Sequence, residues 1–84
     1  MSSGRIEIDF DAGEGALLRM VGLVERRGFV VGAVTMRAEA GAGALSLDLV
    51  ARDPSRRLEV VAGQLRRLHE VRTVTVHPVQ PGAA

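Results

Sequence analysis

The stretch EGALLRMVGLVERRGFVVGAVTM, Glu14 to Met36, decides the architecture. Leu17, Met20, Val21 and Val24 recur at i, i+3, i+4 and i+7, so they share one face of a helix. Arg19, Glu25 and Arg26 lie away from that stripe. Arg26 and Arg27 put cations where the helix dipole is negative, and Gly28 follows as the residue expected to leave the helix in a left-handed conformation. From Phe29 the period changes to that of a strand, which runs to Met36. A polar turn, an amphipathic helix and a buried strand thus follow one another without a break.

Working outward toward the N-terminus, Arg5 to Phe10 alternates cleanly, with Ile6, Ile8 and Phe10 on one face and Glu7 and Asp9 on the other. This is a half-buried strand. Asp11 to Gly15 is a glycine-bearing turn, and Glu14 is expected in the first helical turn, where a carboxylate suits the dipole. In the second strand Val30, Val34 and Met36 are expected to face the core and Thr35 and Arg37 to face away. Gly32 marks a bulge or a close approach.

Toward the C-terminus, Ala38 to Gly43 has the composition of a hairpin loop. Leu45, Leu47 and Leu49 alternate with Ser46 and Asp48 as a third strand. Asp53-Pro54 carries a helix-start signal, Asp as N-cap and Pro as the first helical residue. The second helix sets Leu58, Val61, Ala62, Leu65 and Leu68 on one face, with Arg57, Gln64 and Arg67 on a solvated side. Val71 to His77 forms the last strand, Val74 and Val76 inward and Thr73, Thr75 and His77 outward, and Pro78 ends it. The order βαββαβ with right-handed crossovers predicts an α+β, ferredoxin-like fold. It is a four-stranded antiparallel sheet of order 4-1-3-2 with both helices on one face.

The 84 residues suit one small domain, for which a second copy or a partner would add buried surface. Apolar residues make up 46% of the chain but only two are aromatic, so the core rests on aliphatic side chains. A net charge of +1 gives no general attraction to nucleic acid or acidic membrane. All eleven basic residues are arginine, which reflects composition before function. No cysteine is present, which excludes disulfides, thiolate chemistry and zinc ribbons. No apolar run reaches membrane-spanning length, and MSSG lacks the apolar region of a secretory signal. The expected location is the cytoplasm.

Catalytic constellations are sparse. His69, on the second helix, and His77, on the last strand, have no cysteine to complete a metal set, and neither is read as a ligand. Ser46 and Ser55 have no neighbouring histidine to activate them. Glu7, Asp9 and Asp48 should lie together on the open sheet face, as a solvated face more simply than as a cation site. RNA readers of this topology stack bases on aromatic residues of the central strands. Here those positions hold Glu7, Asp9, Ser46 and Asp48, so nucleic acid is not an expected partner. The loop Asp11 to Leu17 offers backbone N–H groups at a helix start, reached through glycines, which suits an anionic group. Glu14 opposes a naked anion there, and a plain strand-to-helix turn is the simpler account.

Over residues 5 to 78 the chain resembles an ACT domain, with 1–4 and 79–84 as flexible termini. That family opens with a strand, then Asn-x-Pro-Gly-(Val/Ala)-Leu, Gly-Leu-(Phe) in the helix and Arg-Arg-Gly-(Phe/Tyr) before the second strand. The matching residues here are Ala12-Gly13-Glu14-Gly15-Ala16-Leu17, Gly22-Leu23-Val24 and Arg26-Arg27-Gly28-Phe29. Within the family the chain is most similar to the short, single-domain form of the regulatory (small) subunit of acetolactate synthase, through ERRGFVVGAVTMR and QLRRLHEVRTVTV.

The resemblance implies a non-catalytic subunit with no cofactor of its own. Its partner would be the acetolactate synthase large subunit, which holds thiamine diphosphate, FAD and magnesium. It also implies a homodimer through the edge of the second strand, with a branched-chain amino acid bound between protomers. The implied effector contacts are Ala12, Gly13, Glu14, Gly15, Ala16 and Leu17, facing Val30, Val31 and Gly32 of the other copy. Two departures bear on this. Ala12 stands where the family has an asparagine and Glu14 where it has a proline. A site built around an asparagine hydrogen bond loses discrimination without it. Activation is therefore expected to persist and amino-acid sensing to be weak. One alternative is a free-standing homodimer that senses a small amino acid for another pathway, and a second is a purely structural interaction module with no ligand.

Overall fold

The computed structural model describes residues 3–79. The chain runs β1 (Ser3–Asp11), α1 (Ala16–Arg26), β2 (Phe29–Glu39), β3 (Ala42–Ala51), α2 (Leu58–Leu65) and β4 (Val71–Pro78). The sheet is antiparallel throughout, in the order β2-β3-β1-β4, which is the expected arrangement. The expectation of flexible ends at residues 1–2 and 80–84 lies outside the described residues. Ser3 and Gly4, ahead of the expected start of β1, pair with Val50 and Leu49.

Alternation in β1 and β3 builds the core. Ile6, Ile8 and Phe10 from β1 meet Leu45, Leu47 and Leu49 from β3, all at most 2% exposed. The helices cover this face with Ala16, Met20, Leu23 and Val24 from α1 and Leu58, Val61, Ala62 and Leu65 from α2. Leu17 and Val21 pack at the margin, and Leu23 belongs to the inward stripe. Gly43 leaves room for the Phe10 ring, since a Cβ there would come within 2.5 Å of it. Gly28 ends α1 at φ 91°, and its N–H donates to the Glu25 carbonyl, as the helix-stop reading required.

Several local expectations are corrected. Ala38–Gly43 is mostly strand: Glu39 pairs with Ala42, and the turn is Ala40-Gly41, at φ 52° and 81°. Two successive positive φ values make the tight turn whose twist matches its strands, so a small-residue run need not be a long loop. The second helix starts at Leu58, five residues after Asp53. Asp53 instead accepts the Ser55 N–H at 2.9 Å and the Ser55 hydroxyl, and its carbonyl takes the Arg56 N–H. That local turn satisfies the groups a helix would have used. Arg57 then stays extended at φ −119° and ψ 135° and delivers Leu58 to the core. Leu68 and His69 lie beyond the helix, which ends at Leu65.

In β2 the register shifts between Val31 and Val34, so Gly32-Ala33 is a bulge, as Gly32 suggested. The shift decides which side chains turn inward. Val31 pairs with Leu49, Val34 with Leu47 and Met36 with Leu45, and directly opposed residues share a face. Val30, expected inward, pairs with Val50 on the open face and is 44% exposed. Val34 and Met36 do lie on the helix side, yet they remain 48% and 39% exposed on the edge strand of the sheet.

Candidate functional site

The loop between β1 and α1 is held from both sides. The Asp11 N–H donates to the Glu70 carbonyl at 2.7 Å, and the Ala12 N–H to the Gly41 carbonyl at 2.9 Å. Gly15 caps α1 at φ 77°, a left-handed conformation that favours glycine, and its carbonyl accepts the Arg19 N–H at 3.0 Å. The helix begins at Ala16, so Glu14 precedes the cap and the first turn carries no acidic residue, contrary to expectation. Gly13 and Glu14 are exposed, Ala12, Gly15 and Leu17 half-buried, and Ala16 buried.

A brace that sequence reasoning missed lies behind this loop. Arg19 Nε donates to Glu70 Oε2 at 2.6 Å, and the Glu70 side chain is only 9% exposed. The arginine hydrogen bond holds the Glu70 carboxyl below the usual carboxylate range. The pair spans 51 residues of sequence, so no local pattern announces it.

Val30, Val31 and Gly32 are remote from this loop within one chain. Val30 pairs with Val50, which pairs with Ser3 at the start of β1, whereas the loop follows Asp11 at its end. Eight residue steps of strand, about 27 Å, separate the two groups. A single chain therefore does not bring the nine expected effector contacts together.

The open sheet face reads as a series of rungs across β2, β3, β1 and β4. Arg37, Ala44, Asp9 and Thr73 form one, and Thr35, Ser46, Glu7 and Thr75 the next. Glu7, Asp9 and Asp48 share this face, but each is engaged by another group. Arg5 Nε donates to Asp48 Oδ1 at 2.9 Å, His77 Nε2 lies 2.5 Å from Glu7 Oε1, and Thr73 Oγ1 donates to Asp9 Oδ2 at 2.7 Å. Among the described residues no group of three or more His, Cys, Asp or Glu side chains could hold a metal ion. Shallow concavities line this face, one of about 650 Å³ beside Arg5, Asp48 and His77. No helix among the described residues is long and apolar enough to cross a membrane.

Comparison with known proteins places this geometry. No curated protein matches the chain. Among solved structures, the ACT domain from GTP pyrophosphokinase of Chlorobium tepidum superposes with a TM-score of 0.76 at 17% identity, covering 92% of this chain and 100% of that one. The C-terminal domain of the MgtC protein from Mycobacterium tuberculosis superposes with a TM-score of 0.68 at 15% identity, covering 100% of this chain and 94% of that one. At such identities these likenesses speak for the fold. The family model described as ACT domain matches residues 13–74, from the loop before α1 into β4. The chain belongs to the ACT domain family, whose members are regulatory and non-catalytic.

Proposed function

We propose that this ACT domain is a regulatory subunit that binds and activates the catalytic subunit of acetolactate synthase, the thiamine-diphosphate enzyme of branched-chain amino-acid synthesis. Thiamine diphosphate, FAD and magnesium belong to that partner. The runs ERRGFVVGAVTMR and QLRRLHEVRTVTV support the assignment, and the observation that carries the assembly role is the bare edge of β2. Val34 and Met36 stand half-exposed there beside unpaired strand backbone, which favours addition of another strand.

Two copies joined antiparallel through β2 make an eight-stranded sheet with isologous contacts. That pairing sets the start of one β2 against the end of the other, near the β2–β3 turn. The Gly41 carbonyl of that turn holds Ala12. Val30, Val31 and Gly32 of one copy then approach Ala12 to Leu17 of the other, across the 27 Å or so that divides them in one chain. Sensing through this site is weak in our reading. The Ala12 N–H is already committed, its methyl group offers no hydrogen bond, and exposed Glu14 repels a carboxylate ligand.

The test is acetolactate synthase activity of the cognate catalytic subunit with and without this chain, titrated with valine, leucine and isoleucine. Stimulation without inhibition is the expected result. Stimulation with strong inhibition refutes the argument from Ala12 and Glu14. No stimulation and no stable complex refutes the assignment and favours a free-standing dimer.

A further inference from the structure

We propose that Arg66 closes the second edge of the sheet, so that strand addition is confined to β2 and assembly with a second copy stops at a pair. The pair is the β2-linked assembly read above, whereas the closure of β4 rests on contacts within one chain.

Strand order leaves β2 and β4 as the two edges, and pairing through β2 leaves a β4 at each end of the joined sheet. The register identifies which backbone groups of β4 point outward. The Val79 N–H donates to the Ser3 carbonyl at 3.0 Å, and Pro78 stands opposite Gly4. Hydrogen-bonded and non-bonded pairs alternate along an antiparallel ladder. His77, Thr75 and Thr73 therefore turn their N–H and carbonyl groups to β1, and Pro78, Val76 and Val74 turn theirs to the open edge.

That outward row is interrupted along its length. Pro78 has no N–H to offer. The Val74 carbonyl is taken by Arg66, whose Nη2 donates to it at 3.0 Å. Beyond Thr73 the register shifts between Asp9 and Phe10, because Arg72 is an extra residue on β4. Such a bulge twists an edge strand away from a would-be neighbour. Among the described residues Val76 alone of the three keeps both outward groups available.

The end of α2 places the arginine for this contact. Arg66 follows Leu65, the last helical residue, still in helical conformation at φ −62° and ψ −18°, where a cation also suits the dipole. The Leu68 N–H donates to the Leu65 carbonyl and the Val71 N–H to the Leu68 carbonyl, turns that bring β4 back past the guanidinium. Arg5, Arg19, Arg56 and Arg72 each pair with a carboxylate, but Arg66 does not. Its charge is spent on a main-chain carbonyl that an incoming strand would need. β2 differs. Beyond its bulge, Val34 to Glu39 keep an unbroken register without proline, and among the described residues no side chain bonds the β2 backbone. One edge is guarded and the other is open.

Sedimentation velocity of the intact chain and of Arg66→Ala over a range of concentrations tests this, with amide hydrogen exchange on the same samples. The wild type should form a pair and nothing larger. Arg66→Ala, with an unchanged circular dichroism spectrum, should go on to larger species, its weight-average mass reaching about twice that of the pair or more. The amides of Val74 and Val76 should become protected in those species. An Arg66→Ala chain with the mass distribution of the wild type would overturn the proposal, as would larger species in which Val74 and Val76 still exchange freely. A monomeric wild type would refute the β2 reading alone. Arg66→Ala should then pair through β4, and its staying monomeric would overturn the closure of that edge as well.

Discussion

Leu47 and Ser46 are neighbours on β3 and belong to opposite faces of one sheet. Leu47 is 0% exposed, in an aliphatic layer between Ile6, Val34 and the helices. Ser46, half-buried, opposes Glu7 and Thr35 on a face that no helix covers. The covered face is collective: each side chain there is packed by many others, and no single contact defines it. The open face consists of separate polar pairs in water, where individual contacts contribute little to stability. Packed core and solvated surface are thus divided between alternate residues of the same strands.

The sharpest way to break that division is to truncate both neighbours. Leu47→Ala removes a core side chain and leaves a cavity, for a loss of about 3 kcal/mol. Ser46→Ala should leave stability nearly unchanged. Urea unfolding of both variants checks this, and comparable losses would mean that the open face is covered in solution.

A smaller effect tests whether an ion pair changes character when one member is buried. Arg19–Glu70 has its carboxylate 9% exposed, whereas Arg5–Asp48 is 55% and 44% exposed. Glu70→Gln should cost about 1 kcal/mol near neutral pH, and Asp48→Asn nothing measurable. The pH dependence carries a sign. Because the folded carboxyl titrates below its ordinary value, its contribution is complete above about pH 4.5 and is lost as pH falls through the depressed value. Between those limits the wild type should lose stability more steeply than Glu70→Gln. Parallel acid limbs in the two proteins would show that the Arg19 contact does not survive in solution.

The covered face was also the legible one. Strict alternation in 5–10 and 45–49 and the 3–4 spacing of α1 are local consequences of burial, so they stand in the sequence. β2 was harder, because the Gly32-Ala33 bulge resets the alternation and the edge carries apolar side chains on both faces. Val30 consequently reads as core when it is not. The site residues were legible only in part. A glycine-bearing loop is visible, but the Arg19–Glu70 brace and the Arg66 contact with β4 arise from strand register and long-range pairing, which no local pattern encodes.

The smallest effect concerns the way the covered layer is entered. α1 is capped by Gly15, whose left-handed backbone shapes the cap, whereas α2 is capped by Arg57, whose extended backbone suits a cap but whose side chain accepts no hydrogen bond from the helix. Asp53, the apparent capping residue, is occupied in its own turn with Ser55. Helix α2 thus has no side-chain cap from the residue that precedes it. Arg57→Ser supplies an oxygen to the first helical N–H groups at a position already in the right conformation, and should stabilise the protein by about 0.5–1 kcal/mol. A rise in the thermal midpoint, with no change in denaturant m-value, is the expected signature. A fall would mean that the aliphatic stem of Arg57 packs at that entrance, and that the boundary between the two faces is held by contacts of the collective kind.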